Sequence, residues 1–119
     1  KSTYFYLDSI VLTHILENLL SNAVKYSRDN IDISMEITKT VQGELQFIIE
    51  DHGIGIPLKD QKYLFESFFR ASNTENIKGT GLGLSIVKRF VDILRGSITF
   101  KSKEGKGTKV TVKLPFKKM

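Results

Sequence analysis

Apolar residues recur at intervals of three and four positions near the start of the chain, the spacing of one face of an α-helix. Asp8 and Ser9, residue types that favour helix N-caps, stand just before this stripe, and a polar run at 27–30 follows it. The pattern predicts a helix that ends at about Tyr26, preceded by a short strand within residues 2–8. The apolar positions of this helix are Leu12, Ile15, Leu16, Leu19, Leu20, Ala23 and Val24.

Strict alternation of apolar and polar residues replaces this spacing at residues 31–37, which predicts a β-strand. A turn around Gly43 leads back into the apolar run 45–51, so the two segments predict a hairpin with one buried face. Residues 97–102 and 108–115 predict a second hairpin that closes the chain. The buried face of the first strand is expected to carry Ile31, Ile33, Met35 and Ile37.

Two further helices are predicted in the second half of the chain. Residues 58–69 form one, and the other follows Gly83 and is expected to stop at Gly96, a C′ glycine. The polar, aperiodic stretch 70–78 between them predicts a mobile loop. The residues of the first of these helices that are expected to lie inward are Leu58, Leu64, Phe65, Phe68 and Phe69.

These elements together predict an α+β protein. We expect a two-layer α/β sandwich, with a mixed, mostly antiparallel sheet of about five strands covered on one face by about three helices. A chain of 119 residues is long enough for one domain and too short for two, so residues 1–119 are interpreted as a single domain. Because it does not begin with Met and has no leader pattern, we expect it to be excised from a longer protein.

Composition limits the classes of function that this chain could have. No apolar run approaches the ~18 residues of a membrane span, and the absence of Cys excludes disulfides and thiolate metal sites. The net charge of +5 could suit nucleic acid. Much of this excess comes from lysines that alternate along the C-terminal hairpin, a pattern more typical of a solvated strand face. We therefore expect no nucleic-acid partner, and a phosphorylated ligand or an acidic partner would explain the remainder.

A polar stripe runs beside the apolar face of the first predicted helix. It contains His14, Asn18, Asn22 and Lys25, with Tyr26 at its border. Asn is a middling-to-poor helix former, so two of them four residues apart call for a reason. A solvated face is the simple explanation. The alternative is a metal and phosphate site, since an amide oxygen can ligate Mg²⁺ and Lys can pair with phosphate.

Two glycine-rich segments add to this picture. Asp51 ends an apolar strand and precedes Gly53 and Gly55, which would let a flat ligand or its phosphates approach closely. A carboxylate can accept a hydrogen bond from an adenine amino group, although a strand-ending turn Asp is also common. The second segment, 79–83, has glycine at every other position and leads into a helix, whose N-terminus favours anions.

Other nucleotide sites and hydrolases are excluded by spacing. The chain has no GxxxxGK[ST] P-loop, and its GxGxG follows a polar loop and not a strand as a dinucleotide fingerprint would. Neither HExxH nor a nucleophile-elbow Ser is present.

Four blocks, "ENLLSNAVKYS", "DHGIGIP", "FESFFRA" and "GTGLGLSIVK", occur in that order. They resemble the N, G1, F and G2 boxes of the catalytic, ATP-binding domain of two-component sensor histidine kinases. That domain belongs to the ATPase superfamily that includes gyrase B, heat-shock chaperone and mismatch-repair ATPases. The resemblance implies a mixed sheet under helices, with Mg-ATP held between the helices and a flexible lid.

The resemblance also implies roles for individual residues. Asn22 would ligate Mg²⁺, Lys25 would meet the phosphates, and Asp51 would bond the adenine amino group. Asn18, Asn22, Lys25 and Arg70 would form the catalytic set, with Arg70 able to reach the γ-phosphate. The implied nucleotide-binding residues are Asn18, Asn22, Lys25, Tyr26, Asp51, Gly53, Gly55, Ile56, Lys78, Gly79, Thr80, Gly81, Leu82 and Gly83.

Asn18 stands where hydrolysing members of the superfamily have a Glu that activates water. An amide cannot act as a general base at neutral pH, so hydrolysis is expected to be slow and transfer to another acceptor is favoured. The resemblance implies that the acceptor is a histidine on a separate dimerisation domain, which then phosphorylates a response-regulator aspartate. The chain is expected to be cytoplasmic without membrane contact of its own, within a membrane-anchored parent. Alternatives are a serine kinase of an anti-sigma system and a non-catalytic nucleotide- or partner-binding module.

Overall fold

The computed structural model describes residues 5–6, 9–27, 32–74 and 83–118. These ranges contain six strands, two α-helices and two 3₁₀-helices. In chain order the elements are β1 (Phe5–Tyr6), α1 (Ser9–Lys25), β2 (Ile33–Lys39), β3 (Glu44–Asp51), 3₁₀-helices Leu58–Tyr63 and Ser72–Thr74, α2 (Gly83–Ile93), β4 (Ser97–Lys103), β5 (Gly107–Pro115) and β6 (Lys117–Lys118).

Four strands form the main sheet, in the order β2-β3-β5-β4, and every neighbouring pair is antiparallel. Phe47 of β3 pairs with Ile37 of β2 and with Val112 of β5, which sets the register across the sheet. The two short terminal strands, β1 and β6, pair with each other and not with the sheet. The α+β sandwich is therefore confirmed, with four strands in the main sheet where about five were expected and no parallel pair among the described strands.

The core lies between one face of the sheet and the two α-helices, which pack against each other. This arrangement follows from the sequence patterns, because a helix buries residues three and four apart and a strand buries alternate residues. The buried apolar side chains are Ile15, Leu19, Ala23, Phe47, Ile49, Val87, Val91, Val112 and Leu114. Val24, expected on the apolar stripe of α1, is 50% exposed.

The first predicted hairpin forms, but its buried face is incomplete. Met35 and Ile37 of β2 lie on the helical side of the sheet, yet they are 45% and 51% exposed. Both β2 and β4 are edge strands, but α1 packs over β3 and α2 over β4, so β2 is the edge strand that the described helices leave largely uncovered. Alternation identifies the apolar face of a strand and cannot tell whether a helix covers it.

The helix predicted at 58–69 is replaced by a 3₁₀-helix over Leu58–Tyr63 and a series of turns. Leu58 and Phe68, expected to lie inward, are 84% and 72% exposed, and Phe68 has a positive φ of 65°. Leu58 is the first residue of the 3₁₀-helix and follows its N-cap, the buried Pro57, so the chain turns outward at this point. The remaining aromatic residues still pack, as Phe65 meets Phe100 of β4 edge to face at 5.8 Å.

The end of α2 differs from the prediction in one residue. The left-handed position is taken by Arg95, with φ of 59°, and the N–H of Gly96 bonds the carbonyl of Val91 at 2.9 Å. Gly96 is needed for another reason, because a Cβ there would lie 2.3 Å from the carbonyl oxygen of Lys113 in β5. A close approach of backbone to backbone therefore explains this glycine.

Candidate functional site

A cavity of about 310 Å³ opens between α1, α2, β3 and the segment that follows β3. Nine residues singled out in the sequence line it: Asn18, Asn22, Lys25, Tyr26, Asp51, Gly55, Ile56, Arg70 and Gly83. Gly53 does not line the cavity and packs against the backbone of Tyr26. Lys78, Gly79, Thr80, Gly81 and Leu82 fall outside the described residues, as do residues 75–77 of the predicted mobile loop.

The polar stripe of α1 faces the start of α2. A Cβ placed on Gly83, the first residue of α2, would lie 3.4 Å from Oδ1 of Asn22 and 3.6 Å from Oδ1 of Asn18. The Asn18 amide nitrogen donates to the carbonyl of His14 at 2.8 Å, which orients its oxygen away from that bond. The two amide groups thus lie at a helix N-terminus, whose partial positive charge attracts anions.

His14 is the one residue of this stripe that does not line the cavity. Its exposed ring stacks on Phe90 of α2, with ring centroids 5.4 Å apart. His52 is also exposed and lies 3.9 Å from the carboxylate of Asp32. Both histidines therefore make contacts outside the cavity.

Asp51, the last residue of β3, places a buried carboxylate in the cavity wall, with 9% of the residue exposed. Its Oδ1 accepts the N–H of Gly53 at 2.9 Å, and the carboxylate also accepts the N–H of Thr108. Burial raises the pKa of Asp51, because desolvation penalises the charged form more strongly than the two backbone hydrogen bonds favour it. Such a group is an effective acceptor for a ligand that donates a hydrogen bond.

The protein backbone itself requires Gly53 and Gly55. A Cβ on Gly53 would lie 2.1 Å from the carbonyl oxygen of Tyr26, and one on Gly55 would lie 2.1 Å from that of Lys103. Gly55 also has φ of +68°, where side chains are strained. The sequence analysis explained these two glycines by the room they leave for a ligand. The geometry adds a second reason, because the loop after β3 passes closely between the end of α1 and the β4–β5 hairpin.

The C-terminal end of α1 is joined to the same loop. The carbonyl of Tyr26 accepts the N–H of Ile54 at 3.0 Å, and Lys25 Nζ lies 5.8 Å from the centre of the Tyr26 ring. The helix that carries Asn18 and Asn22 is thus held in register with the loop that follows Asp51.

Arg70 is exposed at the cavity, and its Nη2 donates to the carbonyl of Thr74 at 2.8 Å. The segment around it is held by Asp60, whose Oδ2 accepts both the N–H and the hydroxyl of Ser72 at 2.9 Å. The hydrogen bonds from Ser72 lower the pKa of Asp60. Asn73 adds a bond from Nδ2 to the carbonyl of Gly55 at 3.0 Å.

Sequence reasoning missed Thr108, which lines the cavity beside Asp51 because the two residues pair in the β3–β5 ladder. Alternation along β5 puts Thr108 on the same face as the buried Val112, and this signal could have identified it. It also missed the apolar walls, to which Ile49 and Val110 contribute.

The family model of histidine kinase-, DNA gyrase B- and HSP90-like ATPases matches residues 7–118. The chain therefore belongs to this family. The sensor histidine kinase WalK of Bacillus subtilis is 40% identical over 120 residues, which cover 98% of this chain and 20% of WalK. The sensor protein CiaH of Streptococcus pneumoniae is 37% identical over 117 residues, covering 93% of this chain and 26% of CiaH.

Solved structures agree with this assignment. The mycobacterial sensor histidine kinase MprB matches with a TM-score of 0.86 at 30% identity, over 98% of this chain and 81% of that one. Full-length ShkA in complex with AMPPNP matches with a TM-score of 0.84 at 25% identity, over 99% of this chain and 24% of that one. The histidine-kinase ATPase-type fold and the resemblance based on the four boxes are confirmed.

The chain spans between 20% and 26% of the length of the two curated relatives named above. Within its described residues, no helix is both long enough and apolar enough to cross a membrane.

Proposed function

We propose that this chain binds Mg-ATP and donates the γ-phosphate to a histidine on a separate dimerisation domain, which then phosphorylates a response-regulator aspartate. The main support is one cavity lined both by a buried carboxylate, Asp51, and by two amides, Asn18 and Asn22, that face a helix N-terminus. Its volume of about 310 Å³ is that of a small-molecule site.

Adenine is proposed to bind beside Asp51. The carboxylate would accept a hydrogen bond from the exocyclic amino group, which carries two donor hydrogens. Ile49 and Val110 supply apolar surface for the faces of the base, while Gly55 and Ile56 lie on the loop that borders them.

The triphosphate is proposed to lie between α1 and α2. Asn22 would hold Mg²⁺ through its amide oxygen, a ligand type suited to this hard cation, together with phosphate oxygens. Lys25 and the N-terminus of α2, beginning at Gly83, would offset the phosphate charge. Arg70 would contact the γ-phosphate. The proposal extends to the backbone of Gly79 and Gly81 as phosphate donors, with Lys78, Thr80 and Leu82 beside them.

Asn18 is proposed to keep ATP from being hydrolysed. A water-activating base is needed for fast hydrolysis, and an amide cannot take up a proton at neutral pH. Glu17 is exposed on α1 next to Asn18 and is not among the residues that line the cavity. Phosphoryl transfer depends mainly on positioning and on neutralising charge, so an ATP site without its own base is compatible with a kinase.

The chain is proposed to be the catalytic domain of a longer kinase. ATP, the dimerisation domain and the response regulator would be its partners. It would act in the cytoplasm, with the parent anchored in the membrane. On its own it would bind ATP without transferring phosphate.

The test mixes this chain with the dimerisation domain of its parent and Mg-ATP, and follows the label from the γ-phosphate. We expect an acid-labile, base-stable phosphohistidine that disappears when the acceptor histidine is replaced or when Asn22→Ala is used. Glu17→Gln, an exposed change on the same helix, should keep the signal. Acid-stable label on serine would instead indicate a serine kinase, and ATP binding without transfer to any acceptor would indicate a non-catalytic module.

A further inference from the structure

One hydroxyl group outside the cavity connects two residues that line it. Ser102 of β4 accepts the backbone N–H of Ile56 at 2.8 Å, and its Oγ lies 2.8 Å from the hydroxyl oxygen of Thr108. The Ser102 hydroxyl donates to the carbonyl of Gly107 at 3.0 Å. Ile56 and Thr108 line the cavity and Ser102 does not. Any effect of Ser102 on a ligand must therefore pass through its neighbours.

The number of available protons sets the direction of the bond between the two hydroxyls. A serine hydroxyl has one proton to donate and two lone pairs with which to accept. The Gly107 carbonyl can only accept, so the arrangement that satisfies all three oxygens has Ser102 donating to Gly107 and Thr108 donating to Ser102. The Thr108 oxygen then has lone pairs, and no proton, to offer to another group.

Thr108 and Asp51 pair across the β3–β5 ladder, so their side chains lie on the same face of the sheet. An ionised carboxylate is also only an acceptor. This part of the cavity wall therefore offers acceptors from two neighbouring residues. An adenine amino group can satisfy them, whereas the guanine carbonyl at the equivalent position would meet lone pairs and leave its own acceptor unpaired.

The surrounding loop has further attachments that do not depend on the Ser102 hydroxyl. Gln61 Nε2 donates to the carbonyls of Ile56 at 3.0 Å and Ser102 at 3.1 Å, and the N–H of Gly105 donates to the carbonyl of Ile54 at 2.7 Å. Removing the hydroxyl should therefore loosen the position of Ile56 and release Thr108 while most of the loop stays attached.

We propose that Ser102 is a positioning residue that determines the preference for adenine over guanine. It holds the backbone of Ile56 in the cavity wall and directs the Thr108 proton away from the base. This inference rests on the proposed ATP-binding function.

The test compares dissociation constants for Mg-ATP and Mg-GTP, measured by calorimetry on the 119-residue chain. We expect the wild type to prefer ATP. In Ser102→Ala, ATP binding should weaken roughly two- to tenfold, the value of one hydrogen bond, and GTP binding should improve because Thr108 can now donate. Ser102→Thr keeps the hydroxyl and should restore the preference. Ser97→Ala, an exposed change on the same strand, should leave both constants unaltered.

A double-mutant cycle tests the route through Thr108. In a Thr108→Val background, Ser102→Ala should alter the ATP-to-GTP preference much less than it does in the wild type, because coupled residues are not additive. If Ser102→Ala does not fold, Ser102→Cys replaces it, since the thiol fills similar space but is a weak donor and acceptor.

An unchanged preference in a folded Ser102→Ala or Ser102→Cys variant would overturn the inference, as would a wild type that binds ATP and GTP equally. A wild type that binds neither nucleotide would instead overturn the proposed function, and the inference with it.

Discussion

Replacing Asp51 by Asn keeps the shape of a buried side chain while removing its charge and one of its acceptor oxygens. The carboxylate accepts the N–H groups of Gly53 and Thr108, and an amide oxygen can retain one of these bonds. The amide nitrogen would then stand where a carboxylate oxygen was. An adenine amino group would meet a donor there, so binding should be lost with little change in fold.

The size of the effect can be worked out from these contacts. Losing a hydrogen bond to a charged group costs about 1.5–3 kcal/mol, or roughly a 10- to 150-fold weaker dissociation constant. At 100 times its dissociation constant, ATP stabilises the wild type by about 2.7 kcal/mol. For a chain of 119 residues this corresponds to a rise in melting temperature of about 10 °C. With affinity about 100-fold weaker, the same ATP concentration gives about 0.4 kcal/mol and about 2 °C.

The assay is thermal unfolding of wild type and Asp51→Asn, with and without Mg-ATP. Glu50→Gln is the matched control, because it removes a charge one residue away on the opposite face of β3. The control should keep the full shift, and Asp51→Asn should lose most of it. An equal shift in Asp51→Asn and the wild type would refute the placement of adenine.

The raised pKa of Asp51 leads to a prediction for the stability of the ligand-free protein. A carboxylate whose folded pKa is raised favours the folded state most below its ordinary pKa of 3.8, and this advantage is lost as pH rises through the folded value. Asp51→Asn should therefore gain stability relative to the wild type as pH rises through that range. A constant difference in unfolding free energy across the same pH range would contradict the stated cause.

Three further predictions concern two glycines, the contact of Asp60 with Ser72, and the metal. Gly43→Ala introduces strain at φ of +83° with no atom within 4 Å and should cost about 1 kcal/mol of unfolding free energy. In Gly55→Ala the added Cβ would lie 2.1 Å from a backbone carbonyl oxygen of β4, and this clash should cost about 3 kcal/mol or more of unfolding free energy, measured in urea. Equal costs for Gly43→Ala and Gly55→Ala would contradict the close approach at Gly55. The bonds from Ser72 lower the pKa of Asp60, so their stabilisation is present above pH 3.8 and is lost as pH falls through the lower folded pKa. Asp60→Asn should make stability less dependent on pH in that acid range, and an unaltered pH profile would contradict this. Asn22→Ala should weaken ATP binding in the presence of Mg²⁺ and make it insensitive to chelation by EDTA; a preserved effect of Mg²⁺ would exclude Asn22 as its ligand.

Much of the fold was predictable because its helices and strands follow local periodicities. The apolar stripe of α1 places Ile15 and Leu19 in the core, and alternation along β3 and β5 places Phe47 and Val112 there. A repeat of 3.6 or 2 residues determines which side chains share a face, whatever the rest of the chain does.

The segment after β3 was predicted less well because its pattern is compatible with several geometries. Apolar residues from Leu58 to Phe69 have helical spacing, yet the structure has a 3₁₀-helix there and leaves Phe68 exposed. In this segment the path is determined by non-local bonds, such as those of Gln61 to Ser102 and of Asp60 to Ser72. Periodicity contains no information about such partners.

The candidate site was likewise predictable only where its residues follow local patterns. The sequence alone determined the kinds of chemistry present, because Asn18 and Asn22 share a helix face and Asp51 ends an apolar strand, and these placements need only local geometry. Tertiary structure alone decided that α2 begins opposite those amides, that Thr108 lies beside Asp51, and that Ser102 contacts Thr108. Such contacts depend on how strands pair and how helices pack across the sheet. Residues far apart in the chain meet there, and no spacing in the sequence encodes their distance.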